Sequence, residues 1–356
     1  MRPSLRRFLL GLHRYVGLAF AAFLAVSGLT GSILAFADDY DHWMHPGLWR
    51  VTPVGVRLPE QTLADRVIER LTNEGSQTHI DQIRLNGDHS SQVFVLTDGR
   101  MMFVNPYNGT ILGTRDHPSR EAAFVAWVYQ LHVRLLAGNV GEWIVDIATA
   151  TVFLLVPTGV YLWWNKKRLS LKLRASWRRI TWDLHNVAGL YGFVLIFLLA
   201  VTGLLIAYET PLYWIARSEP WRPERAPQSV LPGTPGPDAH LPNLDELLIA
   251  ANRVLPEAET YQIQLPIRNR SPLRIMKRGP GMAGSSTVYL DRYDGHILRV
   301  EDVSKLPRAY RAHLMNQAIH TGSFLGLPGK IVLSVSSILL VVLVVTGCVV
   351  WWQRQA

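Results

Sequence analysis

The chain has 356 residues, 49% of them hydrophobic and 18% charged, with a mean hydropathy of +0.12 and a formal charge of +9. This composition excludes a disordered or fibrous protein. A lone Cys348 excludes an internal disulfide, a cysteine-based zinc site and covalent attachment of a c-type haem.

Four apolar stretches are each long enough to cross the roughly 30 Å hydrocarbon core of a bilayer as a helix. They run from Tyr15 to Ala37, Trp143 to Asn165, Val187 to Tyr208 and Ile331 to Gln353. The expected division is helix one within 1–37, an outer domain over 38–142, helix two over 143–165, a basic loop over 166–186, helix three over 187–208, a second outer domain over 209–330, and helix four with a tail over 331–356. Ala35-Phe36-Ala37 imitates a signal-peptidase site, but the apolar run before it is longer than a signal core and recurs later, so helix one is expected to remain. Within the outer segments, Leu63 to Leu71 and Leu244 to Val254 read as helices. Ile80 to Leu85, Gln92 to Thr97, Tyr261 to Leu265 and Leu273 to Met276 read as strands, and Asn108-Gly109 and Asp294-Gly295 as hairpin turns. Each outer domain is thus expected to be a helix on a small antiparallel sheet, with an extended linker over Pro211 to Pro242.

Charge sets the expected orientation. Arg2, Arg6, Arg7 and Arg14, then Lys166, Lys167, Arg168, Lys172, Arg174, Arg178 and Arg179, then Arg354, all flank the spans on one side, against the single acid Asp183. The long segments are nearly neutral, so both termini are expected to be cytoplasmic and both outer domains periplasmic; the positive charge is no nucleic-acid footprint.

The chain also repeats itself. Leu12-His13, Gly17 and Thr30-Gly31 recur as Leu184-His185, Gly189 and Thr202-Gly203, an offset of 172 residues. His132, Gly138, Gly141, Thr158-Gly159 and Trp163-Trp164 recur as His320, Gly326, Gly329, Thr346-Gly347 and Trp351-Trp352, an offset of 188. The predicted fold class is therefore an α-helical membrane protein of four transmembrane helices in two tandem repeats, each with an outer α+β domain.

Leu-His-x3-Gly opening one helix, and His-x5-Gly-x2-Gly before a second that ends Thr-Gly-x3-Trp-Trp, resemble the PepSY-associated transmembrane family in two copies over nearly the whole chain. The resemblance implies PepSY-like outer domains. It also implies a bacterial inner-membrane protein that carries two non-covalent b haems and reduces ferric siderophores in the periplasm, as FoxB-type ferrisiderophore reductases do. Other family members differ in substrate and partner, and some carry a flavin reductase domain for which this chain has too few residues on the inner side. The electron donor is then quinol or a separate flavin reductase.

Among twelve histidines, the repeat matches only His13 with His185 and His132 with His320. The first pair is expected near the cytoplasmic helix starts and the second near the periplasmic ones, each offering two imidazoles as axial ligands to one haem iron. Gly17 and Gly189 lie one turn deeper on the face of their histidines, where a flat porphyrin needs a surface without side chains. The competing account is that these histidines are interfacial and the glycines ordinary helix-packing residues.

His42, His45 and His313 have no counterpart in the repeat, and stand as alternative axial ligands, propionate partners, substrate contacts or solvated surface groups. Asp146 is the one acid inside a span and a candidate for proton uptake, unless it is simply hydrated near the interface. Gly279-Pro280-Gly281-Met282-Ala283-Gly284 spells a dinucleotide fingerprint but precedes a strand, so it reads as a loop, and Asn108-Gly109-Thr110 serves turn geometry rather than glycosylation. Arg268, Arg270, Arg274, Lys277 and Arg278 suggest either an anion-attracting patch or a solvated strand face. The tandem tryptophans read as interfacial anchors or an aromatic wall for the inner haem.

The expected function is a di-haem oxidoreductase passing electrons across the membrane to a periplasmic acceptor. The alternative is a non-catalytic membrane protein whose PepSY-like domains bind a periplasmic partner or inhibit a peptidase; a transporter ranks last.

Overall fold

A computed structural model describes residues 3–355 apart from 117–118, 165–171, 173, 209, 218–223, 230–242, 269 and 280–282. Arg2, Lys166, Lys167 and Arg168, the centre of the Gly279–Gly284 loop and most of the 211–242 linker lie outside the described residues. In chain order the helices are α1 (Pro3–Ala19), α2 (Ala21–Leu34), α3 (Tyr40–Met44), α4 (Pro46–Trp49), α5 (Glu60–Asn73), α6 (Arg120–Arg134), α7 (Gly138–Trp164), α8 (Trp177–Ala207), α9 (Thr210–Ala216), α10 (Leu244–Val254), α11 (Arg308–Thr321) and α12 (Gly326–Trp352). The strands are β1 (Ile80–Arg84), β2 (Gln92–Leu96), β3 (Arg100–Val104), β4 (Ile111–Asp116), β5 (Glu259–Gln264), β6 (Leu273–Arg278), β7 (Ser286–Leu290) and β8 (Ile297–Glu301). The chain is mostly helical and divides into two compact units.

The helical unit comprises residues 1–37, 124–217 and 312–356. Among the described residues three of its helices are long and apolar enough to cross a membrane: Gly138–Trp164, Trp177–Ala207 and Ser323–Trp352. The N-terminal stretch passes the same test only as a pair, Ser4–Ala19 with Ala21–Leu34, bent by 63°. The apolar run expected as one straight helix from Tyr15 is therefore broken at Phe20, whose ψ of 6° leaves the helical range. The other helices begin earlier than their apolar runs, α8 ten residues before Val187, because Trp177–Asn186 is polar on one side yet still helical. Contacts of α7 with α8 and α1, and of α12 with α8 and α2, close these helices into a bundle around Leu24, Ala148, Val152, Ile196 and Ala200.

The sheet unit comprises residues 38–123 and 218–311. The two outer halves, expected as separate small sheets, share one eight-stranded sheet in the order β4-β3-β2-β1-β5-β6-β7-β8. The halves meet where β1 pairs antiparallel with β5, Ile83 opposite Ile263. The expected helices are α5 and α10, and both pack on one face of this sheet over a core containing Leu63, Val67, Ile83, Phe94, Ile263 and Ile275. Joining the halves gives that core twice the helix cover and removes two exposed strand edges. The expected turns carry Gly109 and Gly295 at φ 72° and 73°, which a side chain opposes.

Candidate functional site

Each repeated histidine is seated by a repeated threonine from another helix. The ring Nδ1 of His13 on α1 lies 3.0 Å from Oγ1 of Thr158 on α7, and that of His185 on α8 lies 2.9 Å from Oγ1 of Thr346 on α12. Nδ1 of His132 on α6 lies 2.8 Å from Oγ1 of Thr30 on α2, and that of His320 on α11 lies 2.8 Å from Oγ1 of Thr202 on α8. Every one of these hydroxyls also donates to the backbone carbonyl one turn earlier: Val26, Leu154, Leu198 and Val342, at 2.6 to 2.8 Å. With its proton committed there, the hydroxyl accepts from Nδ1–H. That assigns the proton of each ring to Nδ1 and leaves Nε2 as a bare lone pair, the form in which imidazole binds a metal.

The glycine that follows each threonine makes room for the ring. A methyl group on Gly159, Gly203 or Gly31 would stand 3.1, 3.1 and 3.2 Å from Cε1 of His13, His320 and His132, and one on Gly347 would stand 3.4 Å from Cε1 of His185. Thr-Gly is thus a seat: one residue holds the ring nitrogen, the next admits the ring edge. In the sequence these threonines are visible only as repeat marks; their fourfold recurrence near the ends of apolar helices is the signal that carries the role.

His-x5-Gly-x2-Gly explains how the second kind of histidine reaches its seat. After α6 the chain turns through Leu135 and Leu136 at φ 48° and 58°, then Gly138 at 58°; after α11 it turns through Gly322 and Gly326 at 76° and 60°. The second glycine of each motif receives the folded-back helix end. A methyl on Gly141 would fall 1.7 Å from the carbonyl oxygen of Arg134, and one on Gly329 would fall 2.2 Å from that of Gly322. His132 and His320 therefore lie on short helices of their own, not on the approach to α7 and α12. Asn316, one turn before His320, donates to the carbonyl of Thr202 at 2.9 Å and ties α11 to the same seat; the first repeat has the buried Val128 there.

The four seats form two sites at opposite ends of the bundle, since His185 and Thr202 are both on α8 and about 25 Å apart along it. At the first, the His13 and His185 ring centres are 6.4 Å apart with planes at 87°. Both rings line a cavity of about 430 Å³ walled by stripes from α1, α7, α8 and α12. Gly17 and Gly189 line it as well, and methyl groups there would meet only Leu155 Cδ2 at 3.7 Å and Leu343 Cδ2 at 3.5 Å. The tandem tryptophans divide their work: Trp163 and Trp351 line the cavity, while Trp164 and Trp352 are exposed. At the second site, His132 and His320 are neighbours.

The remaining candidates are engaged elsewhere. His42 packs on the Trp49 ring at 3.9 Å, and His45 Nε2 lies 3.1 Å from a Glu121 oxygen in a cluster with Arg115 and Asp41. Hydrogen bonds from its own backbone amide, the His45 ring and the Ser119 hydroxyl, with the Arg115 charge beside it, hold the Glu121 carboxyl down at about 2. Asp41, His45 and Glu121 have the geometry of a metal triad, but Arg115 already supplies the cation to both carboxylates. His313 is buried on α11 and bonded through Nε2 to Gln317. Asp146 accepts a 2.6 Å hydrogen bond from the Tyr208 hydroxyl. Of the basic group in the second half, Lys277 is no surface residue: it takes a core-facing position on β6, fully buried, with Nζ bonded to Asn252 on α10.

The sequence profile described as the PepSY-associated TM region matches residues 10–354. No curated protein matches the chain.

Proposed function

The chain belongs to the PepSY-associated transmembrane family, and from that premise we propose that it is a di-haem b membrane oxidoreductase moving electrons between the two sides of a bilayer. In this reading the bent α1–α2 pair is the fourth span, the spans form two tandem repeats, and the basic loops face the cytoplasm of a bacterial inner membrane. His13 with His185, and His132 with His320, would each hold one haem through their Nε2 atoms.

The observation that carries the proposal is the Nδ1-to-threonine bond at all four histidines, which leaves four Nε2 atoms free in two pairs. A packing histidine has no need of a uniform tautomer. The residues fit the group in two further respects. A spacing of 6.4 Å between ring centres suits two imidazoles facing one metal ion at about 2 Å from each nitrogen. The glycine surfaces at Gly17 and Gly189 leave open, apolar space beside the rings where a flat macrocycle has its faces. Haem held by two histidines would supply reversible one-electron transfer.

The protein's own contribution is positional and electrostatic. The threonines orient the imidazoles, the aliphatic stripes of the bundle exclude water, and the separation of the seats along α8 spans most of the hydrocarbon thickness. In this reading the electron donor is quinol or a separate cytoplasmic flavin reductase. A ferric siderophore on the opposite side is the acceptor suggested by the resemblance to ferrisiderophore reductases; one-electron reduction to Fe(II) weakens the hold of hard oxygen ligands and releases the metal.

The test is an optical spectrum of the purified full-length protein, oxidised and dithionite-reduced, with a pyridine haemochrome count, for the wild type and for His13→Ala, His185→Ala, His132→Ala and His320→Ala. Sharp reduced bands, a stoichiometry near two and loss of one haem on breaking either pair are expected. A colourless preparation even after haem supplementation overturns the proposal and leaves the family's non-catalytic, partner-binding reading in its place.

A further inference from the structure

The cavity holding His13 and His185 is largely apolar, but Arg6, Arg14 and Arg354 also line it. Arg6 lies two turns before His13 on the same face of α1, about 10 Å along the axis, with Leu10 between them. Arg354 lies just beyond the stripe that α12 gives to the cavity, its guanidinium 5.4 Å from the ring centre of Trp182, itself a cavity residue.

Arg354 also stands close enough to Arg14 and Arg178 for their charges to repel it. Arg178 is the counterpart of Arg6 in the second repeat, at the 172-residue offset. Among the described residues none of these four arginines forms an ion pair with an acid, and Asp183, the acid of that end of the bundle, is already bound to Arg179 at 2.8 Å. Gathered like charges cost free energy unless a counter-charge answers them. Arginines that merely mark the cytoplasmic face of a span turn to solvent and lipid headgroups; these three border the cavity with the histidines inside it.

We propose that Arg6, Arg14 and Arg354 bind the carboxylates of the ligand seated between His13 and His185, which fixes that ligand as a flat amphiphilic dianion with its charged edge toward the basic end of the bundle. The inference rests on the haem reading of this cavity and assigns the propionate edge of that haem. Guanidinium recognises carboxylate through paired, charge-assisted hydrogen bonds, and the pair is strong where the surroundings are apolar.

The experiment uses the full-length chain carrying His320→Ala, so that only the cavity pair is intact, expressed under haem depletion, purified in detergent and titrated with haem or with haem dimethyl ester. The ester keeps the iron and the flat body but removes both charges. With the arginines intact, esterification is expected to weaken binding by roughly tenfold or more. Arg354→Gln, and the pair Arg6→Gln with Arg14→Gln, should weaken haem by a similar factor while leaving the ester almost unaffected, and Arg354→Lys should restore part of the loss. The comparison of haem with ester on the unaltered arginines needs no variant to fold. Equal binding of haem and ester, with no effect of the arginine variants, overturns this inference and leaves the haem reading standing. Loss of co-purified anionic phospholipid in the variants, with haem and ester binding alike, assigns the arginines to lipid and also overturns it. No shift in the spectrum of either ligand on titration, in this background and in the otherwise wild-type chain, defeats the haem reading itself.

Discussion

Asp245, in the first turn of α10, caps a helix of the other half of the chain: its two carboxylate oxygens accept hydrogen bonds from the backbone nitrogens of Glu60 at 2.9 Å and Gln61 at 3.2 Å, the first residues of α5. The exchange is mutual, because Gln61 Oε1 accepts from the backbone nitrogen of Leu244 at 3.1 Å. The residue before α5 is Pro59, which makes no side-chain cap, so its orphan amides depend on the second half of the protein. Asp245→Ala is expected to cost about 1 kcal/mol, within the usual range for a lost cap, and to fray the start of α5. Hydrogen exchange of the Glu60 and Gln61 amides measures this directly. Glu246→Ala, in the same turn, is the control and should leave both amides protected.

Glu60 itself gives the sheet unit a pH dependence of unusual sign. Burial, with a further push from Asp245, raises its carboxyl to about 7 against a reference of 4.5, while Arg57 and a 3.3 Å hydrogen bond from Gln92 oppose the shift. A carboxyl whose folded pKa is raised contributes fully below 4.5, where both states hold the proton. Its contribution then falls as pH rises toward about 7, because the unfolded chain ionises first, and it levels off above that. The loss is on the order of 3 kcal/mol. Glu60→Gln should therefore melt with the wild type in acid and above it at alkaline pH; a variant no more stable than wild type at alkaline pH would refute the assignment.

Three membrane-length helices are legible because each leaves a local mark, a continuous apolar run. Helices α5 and α10 and the two hairpin turns were legible for the same reason. The shared sheet was not. Ile83 opposite Ile263 is a choice of partner between strands far apart in sequence, and an edge strand reads the same whether or not another edge covers it. Lys277 looked like part of a basic surface because its arginine neighbours are charged too; only strand register shows that it follows Ile275 into the core. The role of the threonines is not legible in sequence, because a hydroxyl that bonds its own helix carbonyl is ordinary in an apolar helix and its second bond is made by a residue 102 to 161 positions away.

Those second bonds are testable without touching a ligand atom. Thr346→Val and Thr202→Val keep side-chain volume but remove the acceptor for Nδ1–H of His185 and His320. An outer-shell partner of this kind usually contributes 10- to 100-fold in metal affinity. Each valine variant should lower haem occupancy or shift the midpoint potential at its own site alone, and the matching serine should recover most of the loss. Redox titration followed optically separates the sites; valine variants with unchanged potentials and occupancy would show that the threonines only fill space.

The glycines allow a sharper separation, because two kinds of glycine surround the same rings. Gly203→Ala places a methyl 3.1 Å from Cε1 of His320, tighter than an ordinary contact, so the ring must give by a few tenths of an ångström and haem affinity at that end should fall. Gly17→Ala places its methyl 3.7 Å from Leu155 Cδ2, an ordinary contact, but in the cavity. Replacing a helix glycine with alanine favours the helix by up to about 1 kcal/mol, so the haem-free Gly17→Ala protein should melt at or above the wild type. The loaded protein should do the reverse, losing the haem between His13 and His185 more readily, since the methyl occupies space that a macrocycle needs. Thermal denaturation of both forms, with haemochrome counts, reads the two effects together. A Gly17→Ala protein that keeps wild-type occupancy while gaining stability in both forms would show that nothing flat lies against α1 there.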